Sequence, residues 1–149
     1  MKRTFLATVL SIVFAMVAIA CHSSDEKEIG YAELPVQAQQ FVKQYFPSAT
    51  YSHVEKEKDH GKWEYEVLLS DGTKIDFNNK GEWKSVDCKY SILPAGIIPD
   101  AIAADIAQRY PSQQPYKIEK ETGGYEIDIP GFDLYYSSNG KFIRAEIDR

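Results

Sequence analysis

The feature that most constrains this chain is a pair of proline brackets that occurs twice. Leu34-Pro35, followed by Tyr45-Phe46-Pro47-Ser48, recurs as Ile98-Pro99, followed by Arg109-Tyr110-Pro111-Ser112, offset by 64 residues at both prolines and at the serine. Proline suits the first position of a helix, where its missing N–H has no intrahelical partner to lose, and it ends a helix that runs into it. Between the brackets, Ala38, Phe41, Val42 and Tyr45 in the first copy and Ile102, Ile106 and Tyr110 in the second recur at three-to-four spacing. Each stripe predicts a short amphipathic helix with one apolar face.

After each helix come alternating apolar and polar segments cut by turn residues. They span residues 51–57, 62–69, 74–77 and 83–90 in the first copy and 116–121, 125–129, 132–136 and 142–148 in the second. The breaks include Asp71-Gly72 and Asn139-Gly140, and such pairs between alternating runs are strong hairpin signals. Tyr65-Glu66-Val67 is matched by Tyr125-Glu126-Ile127, and Ile75-Asp76-Phe77 by Leu134-Tyr135-Tyr136. The expectation is an α+β chain of two tandem modules, residues 31–90 and 91–149, each a helix packed on its own four-stranded antiparallel meander sheet. Units of about 60 residues bury little surface alone. The short joint, with breakers Pro94 and Gly96, therefore predicts that the two pack together.

What precedes the modules carries an address. Lys2 and Arg3 lead into an apolar run ending at Ala20, so residues 1–20 read as an export signal. The run is short for a spanning helix, which needs roughly 20 apolar residues. It ends in Val17-Ala18-Ile19-Ala20-Cys21, which resembles the bacterial lipobox, with Ala18 where leucine is usual. Cys21 is the expected lipidation site and residues 21–30 the lipidated tether; the alternative is an ordinary cut after Ala20. Each buried acyl methylene contributes about 0.8 kcal/mol, so a multiply acylated cysteine anchors stably where one chain does not. Outer-membrane attachment, facing the periplasm or the outside, follows as an expectation. With Cys21 acylated, Cys88 has no disulfide partner and reads as a small buried core residue.

The repeated motifs, together with Asp71-Gly72-Thr73 and Gly81-Glu82-Trp83, resemble the PepSY-like family, also described as beta-lactamase-inhibitor-like. The resemblance covers nearly all of residues 31–149. It implies tandem helix-plus-sheet modules in a periplasmic or surface protein, in a family mostly of unknown function in bacterial envelopes. Its relatives by fold include a beta-lactamase inhibitor protein and a small lipoprotein of the outer-membrane assembly machinery, and both work by binding other proteins. That inhibitor uses disulfides in its modules, which this chain cannot form if Cys21 is lipidated, so its activity does not follow from fold alone.

Nothing in the residue pattern supports catalysis. There is no His-Glu-x-x-His, Cys-x-x-Cys, Gly-x-Ser-x-Gly or phosphate-binding glycine loop. The full chain carries a net charge of −5, and loss of Lys2 and Arg3 makes the mature chain more negative, so no nucleic-acid footprint exists. No cofactor is expected.

Strand alternation yields a different candidate. Trp63, Tyr65, Val67, Leu69, Ile75 and Phe77 are expected to face one helix, and Tyr125, Ile127, Ile129, Leu134 and Tyr136 the other. The opposite faces then carry Glu64, Glu66, Lys74 and Asp76 in the first copy and Glu126, Asp128, Asp133 and Tyr135 in the second. Like charges opposed across strands destabilise a sheet, so neighbouring carboxylates point to a cationic partner. That partner is either a basic protein surface in the envelope or calcium, although no EF-hand loop is present. The hairpin tip at Asp71 is a second candidate contact. The leading expectation is a non-enzymatic, lipid-anchored envelope protein that binds another protein through its sheet surface, as an inhibitor or assembly factor; the alternative is a calcium- or small-ligand-responsive periplasmic sensor. The anchor is tested by Cys21→Ser, which is expected to move the protein into the soluble fraction of a cell lysate; continued membrane association would overturn the lipidation assignment.

Overall fold

The computed structural model describes residues 26–89 and 91–148; Cys21 and the leader lie outside them. Strand β1 (Lys27–Glu28), a 3-10 turn (Tyr31–Glu33) and helix α1 (Val36–Tyr45) come first. Strands β2 (Tyr51–Asp59), β3 (Lys62–Leu69), β4 (Lys74–Phe77) and β5 (Trp83–Asp87) follow. Helix α2 (Asp100–Arg109) then leads to β6 (Lys117–Glu121), β7 (Gly124–Ile129), β8 (Phe132–Ser137) and β9 (Phe142–Ile147). Lys27 and Glu28, which composition assigned to the spacer, pair with Lys56 and Glu55 of β2.

The expectation of two modules with separate four-stranded sheets is overturned. Among the described residues, nine strands form one antiparallel sheet in chain order with only two short helices, so this part of the chain is mostly β. The joining contact is β5 on β6, where Ser85 opposes Glu119, Val86 opposes Ile118 and Asp87 opposes Lys117. Beyond the strands, Cys88 N–H donates to Tyr116 O at 2.8 Å and Leu93 N–H to Pro115 O at 2.9 Å. Separate sheets would leave two inner edges of unpaired N–H and C=O groups, and pairing them removes both.

The same pairing joins the core. One apolar row crosses eight strands: Val54, Val67, Ile75, Val86, Ile118, Ile127, Leu134 and Ala145, each opposite the next. All but Ala145 are buried. The helices cover this face. Ala38 and Val42 of α1 and Ile102 and Ile106 of α2 are buried, while Phe41 meets Phe77 edge-on with centroids 5.8 Å apart. Asp105 of α2 accepts from Tyr136 Oη of β8 at 2.8 Å and from Arg109 Nε at 2.7 Å, and the arginine holds its carboxyl below the usual aspartate range.

Pro35 and Pro99 stand one residue before their helices, with φ of −52° and −53°. Their carbonyls accept the first helical bonds, from Gln39 at 3.1 Å and Ala103 at 3.0 Å. Trp63 departs from its expected core position. It is 37% exposed, close to the tip of the β2–β3 hairpin, and Lys56 and Lys58 cover its ring at 4.8 and 5.8 Å. Cys88 is buried and unpaired by disulfide, and burial pushes its thiol up to about 11. No described helix is long and apolar enough to cross a membrane.

Gly81 fastens the β4–β5 turn against the start of α1. Its φ is +82°, and a Cβ there would come 2.7 Å from Pro35 Cβ and 2.9 Å from Ala38 N. Gly123 has a similar φ of +86° with nothing near its missing side chain. The left-handed conformation alone costs a residue with a side chain about 1–2 kcal/mol. Gly81→Ala is expected to lose clearly more than Gly123→Ala in urea unfolding, because only the first forces the helix off the sheet; equal losses would show that the close approach is not stabilising.

Candidate interaction face

The face of the sheet turned away from the helices is built by the same alternation that builds the core. The residues between the core positions form a continuous row in register across all nine strands: Glu28, Glu55, Glu66, Asp76, Ser85, Glu119, Glu126, Tyr135 and Arg144. Beside it runs a second row of His53, Leu68, Lys74, Asp87, Lys117, Asp128, Asp133 and Glu146. Carboxylates therefore stand directly opposite one another at Glu28/Glu55, Glu55/Glu66, Glu66/Asp76, Glu119/Glu126, Asp128/Asp133 and Asp133/Glu146. Glu57 opposes Glu64 further along the β2–β3 hairpin. Each such pair costs roughly 0.2–1 kcal/mol relative to neutral neighbours.

Three lysines hold this face together. Lys74 reaches Glu66 at 2.7 Å and Asp76 at 4.0 Å, and Lys84 reaches Glu64 at 2.6 Å. Asp76 also accepts a short hydrogen bond from Ser85 Oγ. On the other half, Lys117 alone serves Asp128 at 3.2 Å, Glu119 at 3.6 Å and Glu126 at 3.8 Å. The carboxylates raise the pKa of all three lysines above the ordinary value; for Lys74 and Lys84 the leading cause is the hydrogen bond to Glu66 and Glu64, and for Lys117 opposing desolvation is outweighed by Asp128. Arg144 stacks over the Tyr135 ring at 3.7 Å, and burial together with Glu126 pushes the Tyr135 hydroxyl up to about 12.

The sequence-predicted residues divide by place. Glu64, Glu66 and Asp76 line one groove of about 220 Å³ with Lys74 and Lys84. Glu126 and Tyr135 line another of about 360 Å³ with Arg144. Asp128 and Asp133 lie in the second row, where Asp128 is 8% exposed. Asp71 is not brought to this face; it sits at the β3–β4 tip, where its Oδ1 accepts from Thr73 N–H at 2.9 Å and shapes the turn. Sequence reasoning missed Glu28, Glu55 and Glu119. Alternation around Val54 and Ile118 could have put Glu55 and Glu119 on the outer face, but their alignment with the rest requires the cross-strand register. Among the described residues, no three His, Cys, Asp or Glu side chains group closely enough to hold a metal ion.

A single sheet with two short helices on one face and a carboxylate row on the other is the architecture of a known class. The chain belongs to the PepSY-like family: the family model described as "Putative beta-lactamase-inhibitor-like, PepSY-like" matches residues 63–144. A solved structure from Bacteroides vulgatus, described as a "putative periplasmic protein", is 33% identical, with a TM-score of 0.79 over 83% of this chain and 98% of its own. One from Bacteroides thetaiotaomicron, described as a "putative calcium-regulated periplasmic protein", is 33% identical, with a TM-score of 0.78 over 82% and 97%. A further Bacteroides vulgatus structure, described as "of unknown function", is 30% identical, with a TM-score of 0.78 over 81% and 98%. No curated protein matches the chain. The periplasmic descriptions of these relatives support export, and the family's description is inhibitor-like.

Asp128 is the strained member of the face. Burial raises its carboxyl to about 6 despite Lys117, and its Oδ1 has no hydrogen-bond partner. A carboxyl whose folded pKa lies above its unfolded value of about 4 binds its proton more tightly in the native state. Stability from this group therefore rises as the pH falls through about 6 and levels off near 4. The wild-type stability is expected to climb between pH 8 and pH 5, and Asp128→Asn to flatten that climb by about 1.4 kcal/mol; superimposable profiles would exclude Asp128 as its source.

Proposed function

We propose that this protein is exported, held in the cell envelope by lipid on Cys21, and binds a cationic protein surface through the open face of its sheet, without enzymatic activity. The observation that carries this reading is the row of opposed carboxylates, Glu28, Glu55, Glu66 and Asp76 on one side of Ser85 and Glu119 and Glu126 on the other. Opposed carboxylates cost folding stability, and a basic partner removes that cost when it docks. Glu64, Glu66, Asp76, Glu126, Asp128, Asp133 and Tyr135 are the contact residues of this reading, with Asp71 contributing from the adjacent tip. Periplasmic relatives and an inhibitor-like family description support a binding role over a catalytic one.

A second reading is supported by one observation. A relative of 33% identity is described as calcium-regulated, and calcium takes oxygen ligands of the kind this face carries in excess. In this reading the face answers to the cation rather than to a protein.

The two separate experimentally. In crosslinked capture from an envelope extract, the intact chain is expected to retain a partner that Glu66→Lys with Glu126→Lys reduces about tenfold and that elevated salt releases. Absence of a reproducible partner would overturn the protein-binding reading. Millimolar calcium is expected to leave the thermal midpoint unmoved; a rise with concentration would favour the sensor reading, since a ligand that binds only the native state stabilises it by mass action.

A further inference from the structure

The two edges of the sheet differ in how they are protected. Strand β1 is two residues long, and short charged edges resist further pairing. Strand β9 is six residues long and contains no proline or lysine. It carries Ile143 and Ile147, which are 56% and 72% exposed. Backbone groups alternate in direction along a strand. Because Asp148 N–H donates toward β8, to Gly131 O at 3.2 Å, Glu146 and Arg144 share that direction, and Ala145 and Ile147 aim their N–H and C=O groups outward. We propose that β9 pairs antiparallel with β9 of a second copy of this chain, on a two-fold axis through Ala145.

Charge selects that register. With Ala145 opposite the partner's Ala145, Arg144 falls opposite the partner's Glu146, and Glu146 opposite the partner's Arg144. Ile143 then falls opposite the partner's Ile147. The neighbouring registers that keep outward groups facing each other move the strand by two residues. One sets Arg144 against the partner's Arg144 and the other sets Glu146 against the partner's Glu146, and like charges directly opposed are unfavourable. Arg144 is prepared for the contact: it stacks on Tyr135, and its Nε donates to Glu146 Oε1 of its own strand at 2.7 Å. An isologous two-fold interface needs only one self-complementary strip, which Arg144-Ala145-Glu146 supplies. The inference is independent of the cationic-partner reading, because it uses the sheet edge and leaves the open face uncovered.

The test is thiol crosslinking of the full chain expressed in a bacterial envelope. In a hydrogen-bonded antiparallel pair the two Cα atoms at the axis stand about 5.5 Å apart. Ala145→Cys with a short bis-maleimide is therefore expected to give a covalent dimer that the parent chain does not. Adding Arg144→Glu is expected to cut the yield about tenfold, and adding Glu146→Arg to that variant to restore it, since the swap rebuilds both cross-axis pairs. Restoration also excludes misfolding as the cause of the loss. A monomeric Ala145→Cys chain, or a yield indifferent to Arg144→Glu, would overturn the proposal.

Discussion

The rest of the structure depends on the pairing of β5 with β6. Ser85, Val86 and Asp87 on one strand and Lys117, Ile118 and Glu119 on the other form the only strand pairing between the two halves of the described chain. Through it the apolar row from Val54 to Leu134 becomes one core, roofed by α1 and α2. The same contact aligns the polar residues on the other face, because side chains alternate strictly along each strand. A one-residue slip there would turn Val86 and Ile118 outward and break both rows at once.

On the polar face, cost and function meet. Opposed carboxylates are tolerated because Lys74, Lys84 and Lys117 are spaced among them, each close to at least one acidic group. The compensation is uneven: two lysines serve Glu64, Glu66 and Asp76, whereas Lys117 is shared among Glu119, Glu126 and Asp128. The half with the shared lysine contains the buried Asp128, whose carboxyl is raised to about 6. A surface of this kind retains negative potential that its own cations do not cancel, which is the electrostatic basis for complementarity to a basic partner.

Local signals carried far along this chain. The proline brackets marked both helices to within a residue, since a fixed φ and a missing N–H act without reference to anything distant. Turn chemistry at Asp71-Gly72 and Asn139-Gly140 placed the hairpins, and alternation assigned Val67, Leu69, Ile75 and Phe77 to the core. Trp63 was misassigned because alternation indicates which side a residue faces but not how deeply it is buried near a hairpin tip. The candidate site was legible strand by strand in Glu64, Glu66, Asp76, Glu126, Asp128 and Asp133, whereas Asp71 was drawn into its own turn by Thr73.

By itself, then, the sequence determined the positions of both helices, of strands β2 to β9 and of their turns, the sidedness of those strands and the excess of acid on one side, all consequences of dihedral preference and period-two alternation; β1 lay in the expected tether. Only the tertiary structure decided that one sheet forms rather than two, because that outcome rests on backbone groups of β5 and β6, which are chemically the same in every residue. It also decided that Glu119 continues the line of Glu66 and Asp76, and that β9 remains an open edge.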